Sequence, residues 1–198
     1  MRKLIVVIVS VLVFGAFALA QVEPKPMEVP KTELFIGYAY EHADTSGSSG
    51  VVTSTDVSGI NLNGFSFEFA HYLRNSNLGF MVDVARISKS RVDSTGIKYV
   101  STSYLAGPSY RFHKTGFFIA NVHALAGVDH AEFTVPENNP TSLDFKNTDF
   151  SAAAGVGVDA NLSRHVGIRV AQVDYVYSNH YNTNQGSFRY TGGVVLRF

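Results

Sequence analysis

The last ten residues, RYTGGVVLRF (189–198), close the chain on an aromatic ring. Chain termini usually fray in polar sequence, so an apolar, strand-like ending needs a cause. Sorted by parity, Phe188, Tyr190, Gly192, Val194, Leu196 and Phe198 share one face. Arg189, Thr191, Gly193, Val195 and Arg197 share the other. Successive residues of a strand point to opposite sides, so one side is apolar and aromatic while the other carries two arginines. Which of them meets the core depends on what the solvent is.

The opposite end of the chain names the compartment. In MRKLIVVIVSVLVFGAFALA (1–20), Arg2 and Lys3 precede an apolar stretch from Leu4 to Phe17, and Ala18-Leu19-Ala20 supplies small residues before Gln21. This is the pattern of a secretory signal peptide cleaved between Ala20 and Gln21. Its apolar run falls short of the ~20 residues a spanning helix needs. Without Arg2 and Lys3, 14 bases remain against 16 acids. That balance gives no footprint for nucleic acid, which needs a strong basic excess. With no cysteine, neither a disulfide framework nor a thiolate metal site is available.

Residues 21–31, QVEPKPMEVPK, hold three prolines and read as an extended leader. From residue 32 to 198 the sequence predicts one domain of eight strands, at 32–43, 59–73, 78–89, 97–112, 116–130, 148–162, 165–178 and 187–198. The chain is 45% hydrophobic, yet its mean hydropathy is close to zero. Strands with one oily and one polar face average out in that way. Asn63-Gly64 is a hairpin dipeptide, but a turn there would leave two pieces too short to span, so Gly64 is read as an inward glycine within the second strand.

Short and long connections alternate. RNSN (74–77), HKT (113–115) and SR (163–164) are tight turns, whereas 44–58, 90–96, 131–147 and 179–186 are long and polar. All short turns therefore lie at one end of the sheet. An even number of antiparallel strands with that segregation describes an all-β, eight-stranded, up-and-down transmembrane barrel of the outer-membrane type.

With the oily parity outward, Phe65, Phe67, Phe69, Phe80, Tyr104, Tyr110, Phe112, Phe150 and Val156 face lipid. The inner face is rich in Gly, Ser and Ala. Its charges read as four acids, Glu68, Asp83, Asp159 and Asp174, against four arginines, Arg111, Arg169, Arg189 and Arg197. Such a balance suits a buried network, where unpaired charge is costly. Asp159 is expected to pair with Arg169 across the 163–164 turn. Glu68 and Asp83 stand level beside the RNSN turn, so an arginine, Arg111 or Arg197, is expected to bridge them. The seventh segment conflicts with parity, because Arg169 and Asp174 fall on opposite faces. Either a β-bulge near Ala171-Gln172 or one misplaced polar residue accounts for it.

The stretches YLAGPSYRF, SAAAGVGVDANLSRHVGIRVAQVDYVYS and RYTGGVVLRF resemble the OmpA-like and opacity-type family of eight-stranded outer-membrane proteins. Thr191, Gly193, Leu196 and Phe198 resemble the C-terminal signal read by the bacterial barrel-assembly machinery. The resemblance implies a periplasmic N-terminus, turns in the periplasm and loops outside the cell. Outer-membrane lipid and lipopolysaccharide are its expected surroundings, the four long loops are candidates for an extracellular ligand, and the barrel is expected to be a monomer.

Enzymatic motifs fail on context. Gly155-Val-Gly157-Val-Asp159-Ala160 matches G-x-G-x-x-A, but no helix opens on it as a dinucleotide site requires. No two histidines stand at i,i+2, so no metal site is expected, and no cofactor either. Lipid A deacylases carry His-x-Ser-Asn, giving a base beside a nucleophile; here Val176-Tyr177-Ser178-Asn179 has valine in the base position. The expectation is a structural or surface-interaction barrel without catalysis. A small-solute channel is the transport alternative, although eight strands leave a lumen that side chains fill, and a lipid-modifying enzyme is the catalytic one.

Overall fold

The structure, a computed structural model, describes residues 29–43, 60–74, 76–92, 97–114, 117–134, 144–180 and 183–198. The expected signal peptide, leader residues 21–28 and the loop 44–58 lie outside them. Eight strands form one closed antiparallel barrel in sequence order: β1 (Thr32–Ala43), β2 (Ile60–Tyr72), β3 (Leu78–Val92), β4 (Ile97–Lys114), β5 (Phe118–Thr134), β6 (Asp144–Asn161), β7 (Val166–His180) and β8 (Thr183–Arg197). β1 pairs with both β2 and β8, so the sheet has no edge.

The strands run further at the long-loop end than the sequence pattern suggested. Pairing continues from Ala131↔Asn147 to Thr134↔Asp144 and from Tyr177↔Gly186 to His180↔Thr183. The loops read as 131–147 and 179–186 therefore shorten to 135–143 and 181–182. Polar residues on both faces looked like loop, but a ladder that rises beyond the apolar belt meets water on both sides. Likewise β3 reaches Val92, into the segment read as the loop 90–96, with a register shift between Lys89 and Val92. Gly64 lies within β2, opposite Ala39 and Ile87. A Cβ there would stand 1.9 Å from the Arg86 carbonyl, so glycine lets the two strands approach.

Period two decides what faces where. Phe65, Phe67, Phe69, Phe80, Tyr104, Phe112, Phe150 and Phe198 are exposed on the outer wall. Ser66, Glu68, Asp83, Ser109, Arg111, Asp159 and Arg189 are buried inside. This inversion of a soluble core follows from a hydrocarbon solvent. The inner face also holds an apolar patch, made by Ala70, Tyr72, Met81, Leu105, Leu125, Ala153 and Val176.

The conflict in the seventh segment is settled by a bulge one residue earlier than Ala171-Gln172. Asp159 pairs with Arg169 while Val158 pairs with Ala171, so Val170 is the extra residue. Val170 and Ala171 both face outward, and Arg169, Gln172 and Asp174 all face inward. Without the bulge, Asp174 would point into lipid.

Candidate functional site: a charged lumen

The interior is one hydrogen-bonded chain of charges rather than a set of separate pairs. At the short-turn end, Glu33 Oε1 accepts from Arg197 Nε at 2.5 Å and stands 2.7 Å from Arg111 Nη2. Arg111 lies over the Tyr72 ring, 3.5 Å from its centroid, and donates to the Pro30 carbonyl at 3.2 Å. The end of the leader is thereby held against the barrel mouth. Arg197 also donates to Asn161 at 2.8 Å and to Asp159 at 2.7 Å.

Asp159 passes the chain upward. Its other oxygen accepts from Arg169 Nε at 2.8 Å, directly opposite in register because of the bulge. Arg169 Nη1 donates to Glu68 and to Gln172 Oε1, and its guanidinium covers the Phe35 ring at 4.4 Å. Gln172 then donates to Glu68 at 2.8 Å and to Asp174 at 3.1 Å. Asp174 meets His123 at 2.9 Å and Arg189 at 3.1 Å. Arg189 continues to Asp83, which also accepts from Ser66 at 2.8 Å.

Two sequence expectations are corrected by this arrangement. No single arginine bridges Glu68 and Asp83, although the two carboxylates do face each other across β2 and β3. Arg169 from β7 holds Glu68, and Arg189 from β8 holds Asp83. Arg111 and Arg197 stay at the short-turn mouth on Glu33. The tilt of the strands decides which side chains meet across a barrel, and sequence register between neighbours does not carry that information.

The four-to-four balance is also incomplete. Glu33 and Asp129 are buried in the lumen as well, Glu41 is half-buried there, and His123 is buried against Asp174. Parity along β1 would have found Glu33 and Glu41, which share the face of Phe35 and Ala39. The acid excess is accommodated in two ways. Arg169, Arg189 and Arg197 each hold two carboxylates, as a five-donor planar fork allows. Serine hydroxyls serve others, with Ser187 donating to Glu41 at 2.7 Å and Ser101 to Asp129 at 2.5 Å.

The residues at the chain end occupy the seam that closes the barrel. Phe198 exchanges two backbone hydrogen bonds with Thr32, at 3.0 and 3.1 Å, and its ring is exposed on the outer wall. Leu196 is exposed beside it, whereas Thr191 is buried inside. Gly193 stands opposite Gly37; a Cβ on Gly193 would meet the Ile36 carbonyl oxygen at 2.3 Å. Val176, where a deacylase-type base would stand, is buried in the inner apolar patch. Among the described residues no three His, Cys, Asp or Glu side chains are grouped to hold a metal.

The family model described as "Outer membrane protein beta-barrel domain" matches residues 6–198. Neisserial surface protein A superposes with a TM-score of 0.64 at 18% identity, covering 84% of this chain and 97% of that one. Ail, the attachment invasion locus protein of Yersinia pestis, gives 0.55 at 18% identity over 85% and 100%. OprG of Pseudomonas aeruginosa gives 0.54 at 15% identity over 88% and 99%. No protein of curated function matches the chain.

Proposed function

This chain belongs to the outer-membrane protein β-barrel family, which places it in the bacterial outer membrane, and on that premise we propose that it is a closed surface-display barrel. In this reading the short turns and the N-terminus lie in the periplasm and the long-loop end faces outward. The lumen neither conducts nor catalyses, and the barrel works as a monomer. The observation that carries the reading is the continuous run of ion pairs and hydrogen bonds from Glu33 to Asp83, in which the neutral Gln172 amide joins two ion-pair groups, built from buried side chains of β1, β2, β3, β6, β7 and β8. Charges inside a spanning barrel are expensive unless paired; here they are paired with one another across the bore, which leaves them no role in carrying ions.

Recognition then falls to the loops. Ail has been crystallised with the heparin analogue sucrose octasulfate, but the connecting segments here have the wrong charge for a polyanion. Segments 44–59, 93–96, 135–143 and 181–182 contain Asp44, Asp56, Asp93 and Glu137 and no lysine or arginine, and the exposed bases on the strand ends beside them are Lys98 and Lys146, the latter paired with Glu132. A neutral or basic partner at the cell surface fits them better. Thr191, Gly193, Leu196 and Phe198 serve as the assembly signal in this reading.

Planar-bilayer recording of the purified barrel tests the closed lumen, with a flat baseline expected. Sustained open-channel steps would replace this reading with the channel. Lipid A mass spectra from cells with and without the protein are expected to be identical; a protein-dependent deacylated species would instead make it a lipid-modifying enzyme.

A further inference from the structure

Among the described residues Arg86 is the outward charge set deepest on the apolar wall, with Lys98 and Lys146 nearer the long-loop rim. Five arginines lie in strands with described side chains: Arg86, Arg111, Arg169, Arg189 and Arg197. Four are buried in the lumen, and only Arg86 is exposed on the lipid-facing side. Its recorded partner is the Thr102 hydroxyl at 3.5 Å, a distance at which little hydrogen bonding remains. No carboxylate pairs with it among the described residues. An arginine on the lipid face of such a barrel is costly at mid-depth and nearly neutral at the interface. Arg86 is eight residues along β3 from Leu78, which in a tilted strand is roughly 20 Å up an apolar band of about 25 Å. It therefore sits near the upper boundary, at headgroup level.

Directly below and beside it the wall is hollow. Ala106, Ala126 and Ala152 form one paired row, and Pro108, Ala124 and Ala154 stand in the next. Together they floor a depression of about 430 Å³, which Tyr175 and Tyr177 of β7 wall on the far side. Tyr104, Val128 and Phe150 form the row above, and all three are exposed. The trough is three strands wide, about 10 Å. From Arg86 the way down β3 runs over Val84 and Val82, which pair with Tyr104 and Ala106. The other half of the barrel differs at this height. Tyr38 and Tyr190 project there, with no outward lysine or arginine among the described side chains.

We infer that Arg86, seconded by Thr102, holds the phosphate of an outer-leaflet lipid, and that one of its acyl chains fills the alanine trough. The pairing of a cation at headgroup depth with a hollow at chain depth on the same four strands selects a phosphate-bearing lipid over a second barrel, whose outward Glu132 is already paired with Lys146 among the described residues. This inference rests on the orientation proposed above, since the long-loop end must face outward for the leaflet to be the outer one.

The test uses the full-length folded barrel in detergent micelles, offered equal amounts of lipid A and dephosphorylated lipid A, with bound species weighed by native mass spectrometry. One basic side chain at a membrane surface contributes about a fivefold preference, so the phosphorylated lipid is expected to be retained about fivefold over its partner. Arg86→Gln should bring that ratio to near one. Ala126→Leu, which fills the trough, should lower retention of both lipids while leaving their ratio unchanged. Heat-modifiable gel mobility shows that each variant is folded, and the two-lipid comparison on the unaltered protein needs no variant. A ratio near one for the unaltered barrel, or an unchanged ratio for Arg86→Gln, overturns the inference. So does a lipid-free dimer that disappears with Ala126→Leu, which would assign the trough to a second copy. Orientation is tested separately by protease access to a tag inserted within 135–143 on intact cells; the micelle ratio does not depend on it.

Discussion

The seam between β8 and β1 and the seam between β4 and β5 are built on opposite plans. The first is continuous in register from Glu33↔Arg197 to Ala43↔Ser187 and is extended by the Phe198–Thr32 backbone pair. It is also stitched from inside by the ion pair of Arg197 with Glu33, 164 residues apart in sequence. The second has no registered partners for Gly107 and Pro108 on β5, although pairing resumes at Ser109↔His123 without a shift. Its inner face there presents Leu105 and Leu125 instead of charge. Joining distant chain ends costs more loop-closure entropy than joining neighbours. The seam that closes the barrel carries backbone, charge and close glycine contact together, while a seam between consecutive strands tolerates a gap.

The comparison is broken most severely by Arg197→Leu. That change leaves Glu33 with Arg111 alone and Asp159 with Arg169 alone, and removing one member of a buried charge network costs about 3–5 kcal/mol. Ser101→Ala removes the hydroxyl that spans β4 and β5 to Asp129 and should cost about 1 kcal/mol. Urea unfolding in lipid vesicles measures both. Equal losses would mean that charge does not distinguish the two seams.

Glycine substitutions sharpen the same contrast. A Cβ at Gly193 would lie 2.3 Å from the Ile36 oxygen and 2.4 Å from the Gly37 Cα, so two backbones must part. At Gly107 the first contact is as tight, 2.2 Å to the Ala124 oxygen, but the next atom is 3.1 Å away, and the ladder there is already open. Gly193→Ala should cost about 1–3 kcal/mol, as overpacking does, and Gly107→Ala less. The reverse order in vesicle unfolding would show that the closing seam has slack.

Much of this was legible in the sequence, and the reasons are local. Alternation in β2, β3, β4 and β6 named the lipid face correctly, because lipid imposes one requirement on every outward residue. The facing of Glu68 and Asp83 followed from counting out from a tight turn. The bulge at Val170 was legible only as a contradiction of parity, since an extra residue leaves no composition of its own. The Asp159–Arg169 pair was legible from the short turn between β6 and β7, but partners across the bore were not, because Arg169 reaches Glu68 through strand tilt rather than sequence distance. Glu33 and Glu41 on β1 were legible by parity, whereas Asp129 lies beside His130 and Glu132, where polar residues appear on both faces of β5.

Deletion of Phe198 separates two roles that the seam combines. The loss of its two bonds to Thr32 should lower stability in vesicles by about 2 kcal/mol. If the terminal ring is also an assembly signal, the amount reaching the outer membrane in cells should fall by far more than that stability change explains. Proportionate losses in cells and in vesicles would leave the ring with a structural role alone.

The smallest effect is expected at the open seam, and it has the opposite sign. A proline cannot donate to a ladder and is normally confined to sheet edges or bulges, yet Pro108 lies in a closed barrel that has no edge. The lapse in pairing at Gly107 and Pro108 follows from the missing N–H, while β3 still pairs with both residues on the other side. Pro108→Ala restores a donor and retains a small outward side chain, so it should add one hydrogen bond between β4 and β5. That bond should stabilise the barrel by about 0.5–1.5 kcal/mol and slow amide exchange at Ala124 and Leu125, leaving exchange at the β8–β1 seam unchanged. Exchange read by NMR in micelles is the direct measurement. If protection at Ala124 and Leu125 stays as it was, the gap belongs to the close approach of Gly107 and Ala124 rather than to the proline, and Gly107 becomes the residue that keeps this seam apart.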